Sequence, residues 1–159
     1  MKNISADTSL AQCSYYFKFY FTEALRYAGL ADQFTATLGP WNDMLARGLT
    51  TFAEEADPVR SDCHAWSASP VYYFLSLICG ITPQSPGFET VRIEPHPGEL
   101  KWIKGSFPHR AGNIEFSYSR DTKGKFSAKI VMPEKLTGVF VWNGTEYNLV
   151  PGIYSFTEK

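Results

Sequence analysis

The sequence predicts an α+β protein in which a helical first half is followed by a small antiparallel β-sandwich. Two observations predict this order. Up to about residue 80, apolar residues recur three and four positions apart, as they do on one face of a helix. Beyond Pro83, short runs alternate between apolar and polar residues and are separated by turn residues. With 159 residues, 44% of them hydrophobic and 16% aromatic, the chain suffices for one ordinary domain or two small ones.

The first predicted helix carries more apolar surface than a short chain can cover. It begins at Ser9, whose side chain suits an N-cap, and ends near Ala28, before Gly29. Apolar residues occupy most of its circumference: Leu10, Cys13, Tyr15, Tyr16, Phe17, Phe19, Tyr20, Phe21 and Ala24. A helix that is apolar nearly all round is usually buried in a larger assembly.

Two further helices are predicted before the composition changes. One runs from about residue 32 to residue 47, with Gly48 as its C-terminal cap. Its apolar stripe keeps the same register across Pro40, which favours one kinked helix over two separate helices. The third covers roughly residues 66–79 and ends at Gly80.

Seven short strands are predicted in the second half of the chain. They cover residues 90–94, 100–107, 113–120, 125–132, 138–142, 146–150 and 153–156. Residues 121–124 and Asn143-Gly144 are predicted hairpin turns, and Asn-Gly is the stronger signal because both residues tolerate a positive φ. The pattern therefore divides the chain into residues 1–83 and residues 84–159.

Composition and charge disfavour several classes of function. The net charge is −1 and no basic block occurs, so nucleic acid is not an expected partner. No apolar run is long enough to cross a bilayer, and MKNISADTSLAQC contains no apolar core of a signal peptide. The three cysteines, Cys13, Cys63 and Cys79, form no CxxC pair, which argues against a disulfide framework and a structural zinc site.

Many chemically reactive side chains lie between the second and third predicted helices. They belong to the runs TTFAEE and RSDCHAWSASP and comprise Glu54, Glu55, Asp57, Arg60, Asp62, Cys63 and His64. Loops held on a rigid scaffold often carry function. Several of these residues also have purely structural interpretations. Asp62, for example, suits a helix cap or an ion pair with Arg60.

The residues of this loop suggest three kinds of chemistry, of which two are disfavoured. A thiol nucleophile with its base is disfavoured, because the adjacent residues Cys63 and His64 rarely aim their side chains at each other. A metal site is disfavoured because no second histidine stands at metal spacing from His64.

Either Glu54 or Glu55 could act as a general acid or base, or the two could be a solvated pair. They are too close to form both members of an inverting glycosidase pair, whose carboxyls lie roughly 6.5–9.5 Å apart. Trp66 could stack on a sugar or pack in the core.

These residues and those that follow resemble the C-terminal part of bacterial α-L-rhamnosidases, inverting glycoside hydrolases of the glycoside hydrolase 78 type. The runs TTFAE, RSDCHAWSASP and GITPQSPGFETVRIEPHPGELKWIKGSFPHRAGNI carry the resemblance, which extends over nearly the whole chain. The succession of Cys-His-x-Trp-Ser-Ala, Pro-Gly-Phe and Pro-x-Pro-Gly-x-Leu is its most specific part.

The resemblance implies a fold and an incomplete active site. The family fold is a large (α/α)6 barrel followed by a β-sandwich, so residues 1–83 would be the last helices of an incomplete barrel. Glu54 matches the position of the general base, with Glu55 as the alternative. His64 would contact the sugar, and Trp66 would form the pocket wall. The general acid of the family lies earlier in the barrel and has no counterpart in this sequence.

The resemblance also implies partners and limits. The substrate would be a rhamnose-containing glycan or glycoside with a terminal α-L-rhamnosyl linkage, and neither a cofactor nor a metal is expected. Many relatives are periplasmic or secreted. This chain would be a C-terminal fragment that is inactive alone. The alternative is a non-catalytic carbohydrate-binding or scaffolding module.

We predict that the chain associates with itself or with a separate polypeptide that completes the barrel. The physical reason is that the first predicted helix leaves a large apolar surface without cover. Sizing chromatography with light scattering is expected to show oligomers of the purified chain, and a stable monomer would contradict this prediction.

Overall fold

The computed structural model describes residues 9–56 and 58–158, so Asp57 of the reactive loop lies outside the described residues. The chain divides into two compact units, the first extending to Tyr72 and the second beginning at Tyr73. Helical segments make up the elements of the first unit, and every described strand belongs to the second. The predicted α+β class, with helices before strands, is confirmed.

The first helix, α1, is shorter than predicted and spans Phe17–Tyr27. Ser9 does not cap it, because the helix begins eight residues later. Instead, the hydroxyl oxygen of Ser14 accepts a hydrogen bond from the backbone N–H of Phe17, which satisfies one of the free donors of a helix start. The helix is followed by Gly29 with a φ of 69°, as the predicted C-terminal stop requires.

The second predicted helix is divided into two elements, so the expectation of one kinked helix is wrong. A 3-10 helix spans Ala31–Thr37, and an α-helix, α2, spans Gly39–Ala46. The carbonyl oxygen of Leu38 accepts hydrogen bonds from the N–H groups of both Trp41 and Asn42, which starts a new helix at this point. Pro40 fits the first turn of α2, because an N–H group at that position has no partner within the helix. The same lack of an N–H prevents Pro40 from continuing the preceding helix.

The third predicted helix is divided in the same way. A 3-10 turn spans Ala65–Ser67, helix α3 spans Ser69–Tyr73, and a π-helical turn covers Phe74–Ile78. Gly80 ends this region with a φ of 70°, and a Cβ there would lie 1.9 Å from the carbonyl oxygen of Glu94. Only glycine permits this close approach of two backbone segments.

The described residues of the second unit form eight strands. They are β1 (Ile81–Pro83), β2 (Thr90–Ile93), β3 (Trp102–Phe107), β4 (Ile114–Arg120), β5 (Phe126–Met132), β6 (Thr137–Trp142), β7 (Thr145–Leu149) and β8 (Gly152–Thr157). Seven of them match the seven predicted strands. Strand β1 was not predicted, because it is only three residues long. Its last residue, Pro83, indicates the start of a linker in the sequence.

The strands form two four-stranded sheets, with orders β1-β2-β6-β7 and β3-β4-β5-β8. Neighbouring strands pair antiparallel except for β2 and β6, which are parallel. The predicted sandwich is therefore antiparallel apart from this one pair. At Gly138 of β6, a Cβ would lie 2.0 Å from the carbonyl oxygen of Val91, so the parallel pairing depends on a glycine there.

Aromatic side chains join the two sheets. Phe126 of β5 stacks on Trp142 of β6 with ring centroids 3.9 Å apart, and Phe140 of β6 contacts Phe156 of β8 at 4.5 Å. These contacts cross from one sheet to the other, which is the arrangement of a sandwich core. The inner positions of β4 and β5 are buried at every second residue, as the predicted alternation requires.

We predict that Cys79 gives the second unit a specific sensitivity to alkaline pH. Burial raises the pKa of the Cys79 thiol from 9.0 to about 11. Because the folded state favours the protonated thiol, its contribution to stability is complete below pH 9 and is lost as the pH rises towards 11. The loss amounts to roughly 2–3 kcal/mol, since one pKa unit corresponds to about 1.4 kcal/mol.

Urea unfolding between pH 8 and pH 11 measures this effect, with Cys79→Ala as the control. The difference in unfolding free energy between the parent and the variant is expected to shrink across this range, because the variant lacks the buried thiol of Cys79 and keeps only those of Cys13 and Cys63. A difference that stays constant with pH would contradict the prediction.

Candidate functional site

The two reactive sequence runs are held side by side by backbone hydrogen bonds. The N–H of Glu54 donates to the carbonyl oxygen of Ser61 at 2.9 Å, and the N–H of His64 donates to that of Phe52 at 2.7 Å. Residues 52–54 therefore run beside residues 61–64. This pairing places the side chains of Glu54 and His64 near each other, although they are ten positions apart in the sequence.

Ser67 connects this pair of segments to the core of the first unit. Its side chain is fully buried, and its hydroxyl lies 2.7 Å from the carbonyl oxygen of Ala53 and 2.8 Å from that of His64. The single hydroxyl hydrogen is shared between these two acceptors. The carbonyl oxygen of Ser67 accepts the indole N–H of Trp41 at 2.7 Å. Trp41 itself belongs to the buried cluster with Tyr15, so the site rests on rigid packing.

Glu54 is a buried carboxylate with an arginine partner. Its side chain is only 9% exposed, whereas Glu55 is exposed. Arg60 donates from Nε to one carboxylate oxygen at 3.0 Å and from Nη2 to the other. This two-point contact fixes the plane of the carboxylate. The hydrogen bond with Glu54 raises the pKa of Arg60 above its ordinary value.

This arrangement corrects one expectation and adds one residue. An ion pair of Arg60 with Asp62 was one structural interpretation of the sequence, whereas the structure pairs Arg60 with Glu54. The sequence alone carried no signal for this choice, because Glu55 and Asp62 also lie within six residues of Arg60. The backbone pairing decides it, since it turns the side chain of Glu54 towards Arg60.

The other two predicted site residues lie beside Glu54. The Nε2 atom of His64 is 3.8 Å from Oε1 of Glu54, and the imidazole ring packs against Trp66 with centroids 4.8 Å apart. Within the described part of the chain, Nδ1 of His64 is buried and has no hydrogen-bond partner. Trp66 is half exposed and contacts the ring of Tyr16 at 5.9 Å, a neighbour that the sequence analysis did not identify.

The site therefore combines groups that suit a sugar. A carboxylate can take a proton from a hydroxyl group or from water. An imidazole nitrogen can hydrogen-bond a hydroxyl group, and the open face of an indole can pack on the apolar face of a sugar ring. All three predicted side chains, Glu54, His64 and Trp66, are brought together, and Arg60 and Tyr16 extend the group.

Residues 9–56 and 58–158 contain neither a cluster of metal ligands nor a helix that could span a membrane. This part of the chain contains no cluster of three or more His, Cys, Asp or Glu side chains that could hold a metal ion. Nor does any described helix combine the length and the apolar character that crossing a bilayer demands. Cys63 is a free and exposed cysteine.

Comparison with known families and proteins connects the chain with one group of enzymes. Residues 80–152 match the family model described as the bacterial alpha-L-rhamnosidase C-terminal domain. An alpha-L-rhamnosidase from Alteromonas sp. (strain LOR) is 31% identical over 70 residues, which are 43% of this chain and 8% of that protein. The matched segment thus spans less than a tenth of the length of this relative.

Solved structures extend the likeness beyond the sandwich. The GH78 family rhamnosidase of Bacillus sp. GL1 is 30% identical over 86% of this chain, with a TM-score of 0.77. The α-L-rhamnosidase of Aspergillus terreus superposes on 87% of the chain with a TM-score of 0.80 and 20% identity. That of Streptomyces avermitilis, solved with L-rhamnose, gives a TM-score of 0.77 and 20% identity over 87% of the chain. The chain corresponds to 16–18% of these three proteins.

These matches confirm the resemblance to the C-terminal part of bacterial α-L-rhamnosidases that the sequence indicated. The structural matches cover more residues than the second unit contains, so they also include part of the first unit. Glu54 belongs to the first unit.

We predict that Ser67→Ala destabilises the first unit by about 1–3 kcal/mol, because the buried carbonyl oxygen of Ala53 loses its donor. The carbonyl oxygen of His64 keeps the hydrogen bond from the backbone N–H of Ser67. Equilibrium urea unfolding measures the change. Ser61→Ala is the matched control, since the Ser61 hydroxyl oxygen accepts a long hydrogen bond of 3.3 Å at an exposed position. Its expected effect is below about 0.5 kcal/mol. Equal effects of the two substitutions would contradict the proposed role of Ser67 as the anchor of the site.

Proposed function

We propose that this chain is the C-terminal part of an inverting α-L-rhamnosidase that hydrolyses terminal α-L-rhamnosyl linkages, with Glu54 as the general base. The observation that carries the proposal is the buried Glu54 carboxylate, held beside His64 and Trp66 in a chain that resembles this group of enzymes. The substrate class would be a rhamnose-containing glycan or glycoside. The last barrel helices would lie in residues 1–83 and the sandwich domain in residues 84–159.

The proposed reaction is a single displacement at the anomeric carbon. Glu54 takes a proton from a water molecule while the water oxygen forms a bond to that carbon. The bond between the carbon and the leaving oxygen breaks at the same time, and the leaving oxygen receives a proton from a separate carboxylic acid. In this proposal the acid belongs to the remainder of the barrel, which contributes the opposite side of the sugar pocket.

The contacts of Glu54 are compatible with this role. Each carboxylate oxygen has two lone pairs, so the Arg60 fork leaves one on each oxygen for a water molecule. His64 would bind a sugar hydroxyl, and Trp66 would form part of the pocket wall. Glu55 is the alternative base, but its exposed side chain lacks the arginine and imidazole neighbours that orient Glu54.

A chimeric enzyme tests the assignment of the base. Residues 9–158 would replace the equivalent segment of the Bacillus sp. GL1 rhamnosidase, and hydrolysis of an aryl α-L-rhamnoside would be measured. Glu54→Gln is expected to lower kcat by about 10²–10⁴-fold, the usual contribution of a general base. Glu55→Gln is the matched control and is expected to leave kcat nearly unchanged. The reverse result would identify Glu55 as the base.

Azide provides a second readout for the same chimera. Azide ion needs no general base, so it is expected to restore turnover of the Glu54→Gln chimera and to yield a β-L-rhamnosyl azide. An α-linked azide would contradict the inverting mechanism. So would the absence of rescue, if the parent chimera also releases rhamnose as the α-anomer.

The unmodified chain has its own expected result. Without the acid it should not hydrolyse the aryl rhamnoside. Turnover that Glu54→Gln removes would show that the chain or its oligomer supplies an acid. Binding of rhamnose without turnover in every setting, including the chimera, would instead support the alternative of a non-catalytic carbohydrate-binding module.

A further inference from the structure

The second unit has a pocket of its own at one end of the sandwich. It holds about 480 Å³ and is lined by residues of β5, β6, β7 and β8. Strands β7 and β8 are the last strands of their respective sheets, so no further strand closes the sandwich on this side. The volume lies in the range of small-molecule pockets.

One wall of this pocket is aromatic. Trp142 lies flat against Phe126, and Tyr147 contacts the ring of Phe156 at 5.1 Å. Phe126 is buried, whereas Trp142 and Phe156 are partly exposed and Tyr147 is 41% exposed. Rings that are supported from behind and open on the other side are suited to packing against the C–H face of a ligand.

The lining also carries uncharged hydrogen-bonding groups and one carboxylate. Asn143, Thr145 and Glu158 supply them. Ser155 and Thr157 line the pocket with their backbone, because they alternate along β8 with Phe156, whose ring faces inwards. One carboxylate oxygen of Glu158 lies 3.4 Å from the N–H of Phe126, so its second oxygen can accept a further bond. Among the described residues, the only charge in the lining is negative, which disfavours phosphates and acidic sugars. A neutral ligand with several hydroxyl groups fits this combination.

Trp142 can report on binding because its ring lines the pocket and is partly exposed. Its Nε1 atom is buried and has no hydrogen-bond partner among the residues that the structure describes, so the ring and not the N–H faces a ligand. A ligand that packs on this ring is expected to change the environment of the indole.

We propose that this pocket is a second sugar-binding site, which takes a neutral pyranose through its aromatic wall and its hydroxyl, amide and carboxylate groups. Two features that sugar recognition requires, a ring surface and several convergent hydrogen-bonding groups, occur together here. The site lies in the sandwich and uses none of the residues around Glu54. It would hold a sugar without any chemical step.

The four tryptophans of the chain make both sites measurable in one experiment. The indole N–H signals of the 15N-labelled full chain would be identified with Trp→Phe variants and followed during titration. The probes are the methyl glycosides of L-rhamnose, D-glucose and D-galactose, and the choice of rhamnose rests on the proposed function. The Trp142 signal is expected to shift and saturate with at least one probe, while the signal of exposed Trp102 stays in place.

Two variants localise the binding. Tyr147→Ala removes an exposed ring from the wall and is expected to weaken the affinity reported by Trp142 about tenfold. Trp102→Ala removes a more exposed ring outside the pocket and is expected to leave the affinity unchanged. Unshifted signals of the remaining tryptophans verify that each variant is folded. Glu158→Gln tests the carboxylate with a side chain of nearly the same shape.

The outcomes separate this proposal from the proposed function. No shift of Trp142 with any probe, or an affinity that Tyr147→Ala leaves unchanged, would overturn the second site. Trp66 reports on the site around Glu54, so a shift of Trp66 without Trp142 would overturn only the sandwich site. If the indole N–H signal of Trp142 still shifts during titration of the Glu54→Gln and His64→Ala variants, the second site is supported, whatever the signal of Trp66 does.

Discussion

The candidate site depends on one local constraint, the backbone pairing of residues 52–54 with residues 61–64. This pairing brings two separate sequence runs together, and the buried Ser67 hydroxyl fixes it to the core. Without it, Glu54 would be one of several acidic side chains in a loop. With it, Glu54 is buried and oriented by Arg60. Loops acquire a defined chemistry when a rigid scaffold limits their conformations, and here the scaffold is the packing around Trp41.

The two units differ in how completely they bury their apolar side chains. The sandwich encloses its own core, because alternating residues of both sheets point inwards and their rings meet. The first unit leaves Phe17, Tyr20 and Tyr27 of α1 exposed. Burial of such rings would contribute substantially to stability. This difference fits the proposal that the helices belong to a barrel whose other part contributes the missing cover.

Both proposed sugar-facing surfaces use the same combination of groups. In each, an indole lies beside a carboxylate, and in each a buried ring nitrogen lacks a partner within the described residues, on His64 in one case and on Trp142 in the other. The difference is the surrounding charge and burial. Glu54 is buried and paired with an arginine, which suits an acid–base role, whereas Glu158 is exposed and suits simple hydrogen bonding. The same chemistry can therefore serve catalysis in one unit and binding in the other.

The sequence by itself determined the features that depend on neighbouring residues. The order of helices and strands, the seven longer strands and the Asn143-Gly144 turn all follow from local periodicity and from backbone angles that few residues adopt. The motif resemblance likewise identified Glu54, His64 and Trp66 as a group. Only the tertiary structure decided the parallel pairing of β2 with β6 and the choice of Glu54 as the partner of Arg60. The first choice joins strands that are far apart in sequence, and the second selects one of several nearby carboxylates through the backbone pairing. Local sequence patterns contain neither piece of information.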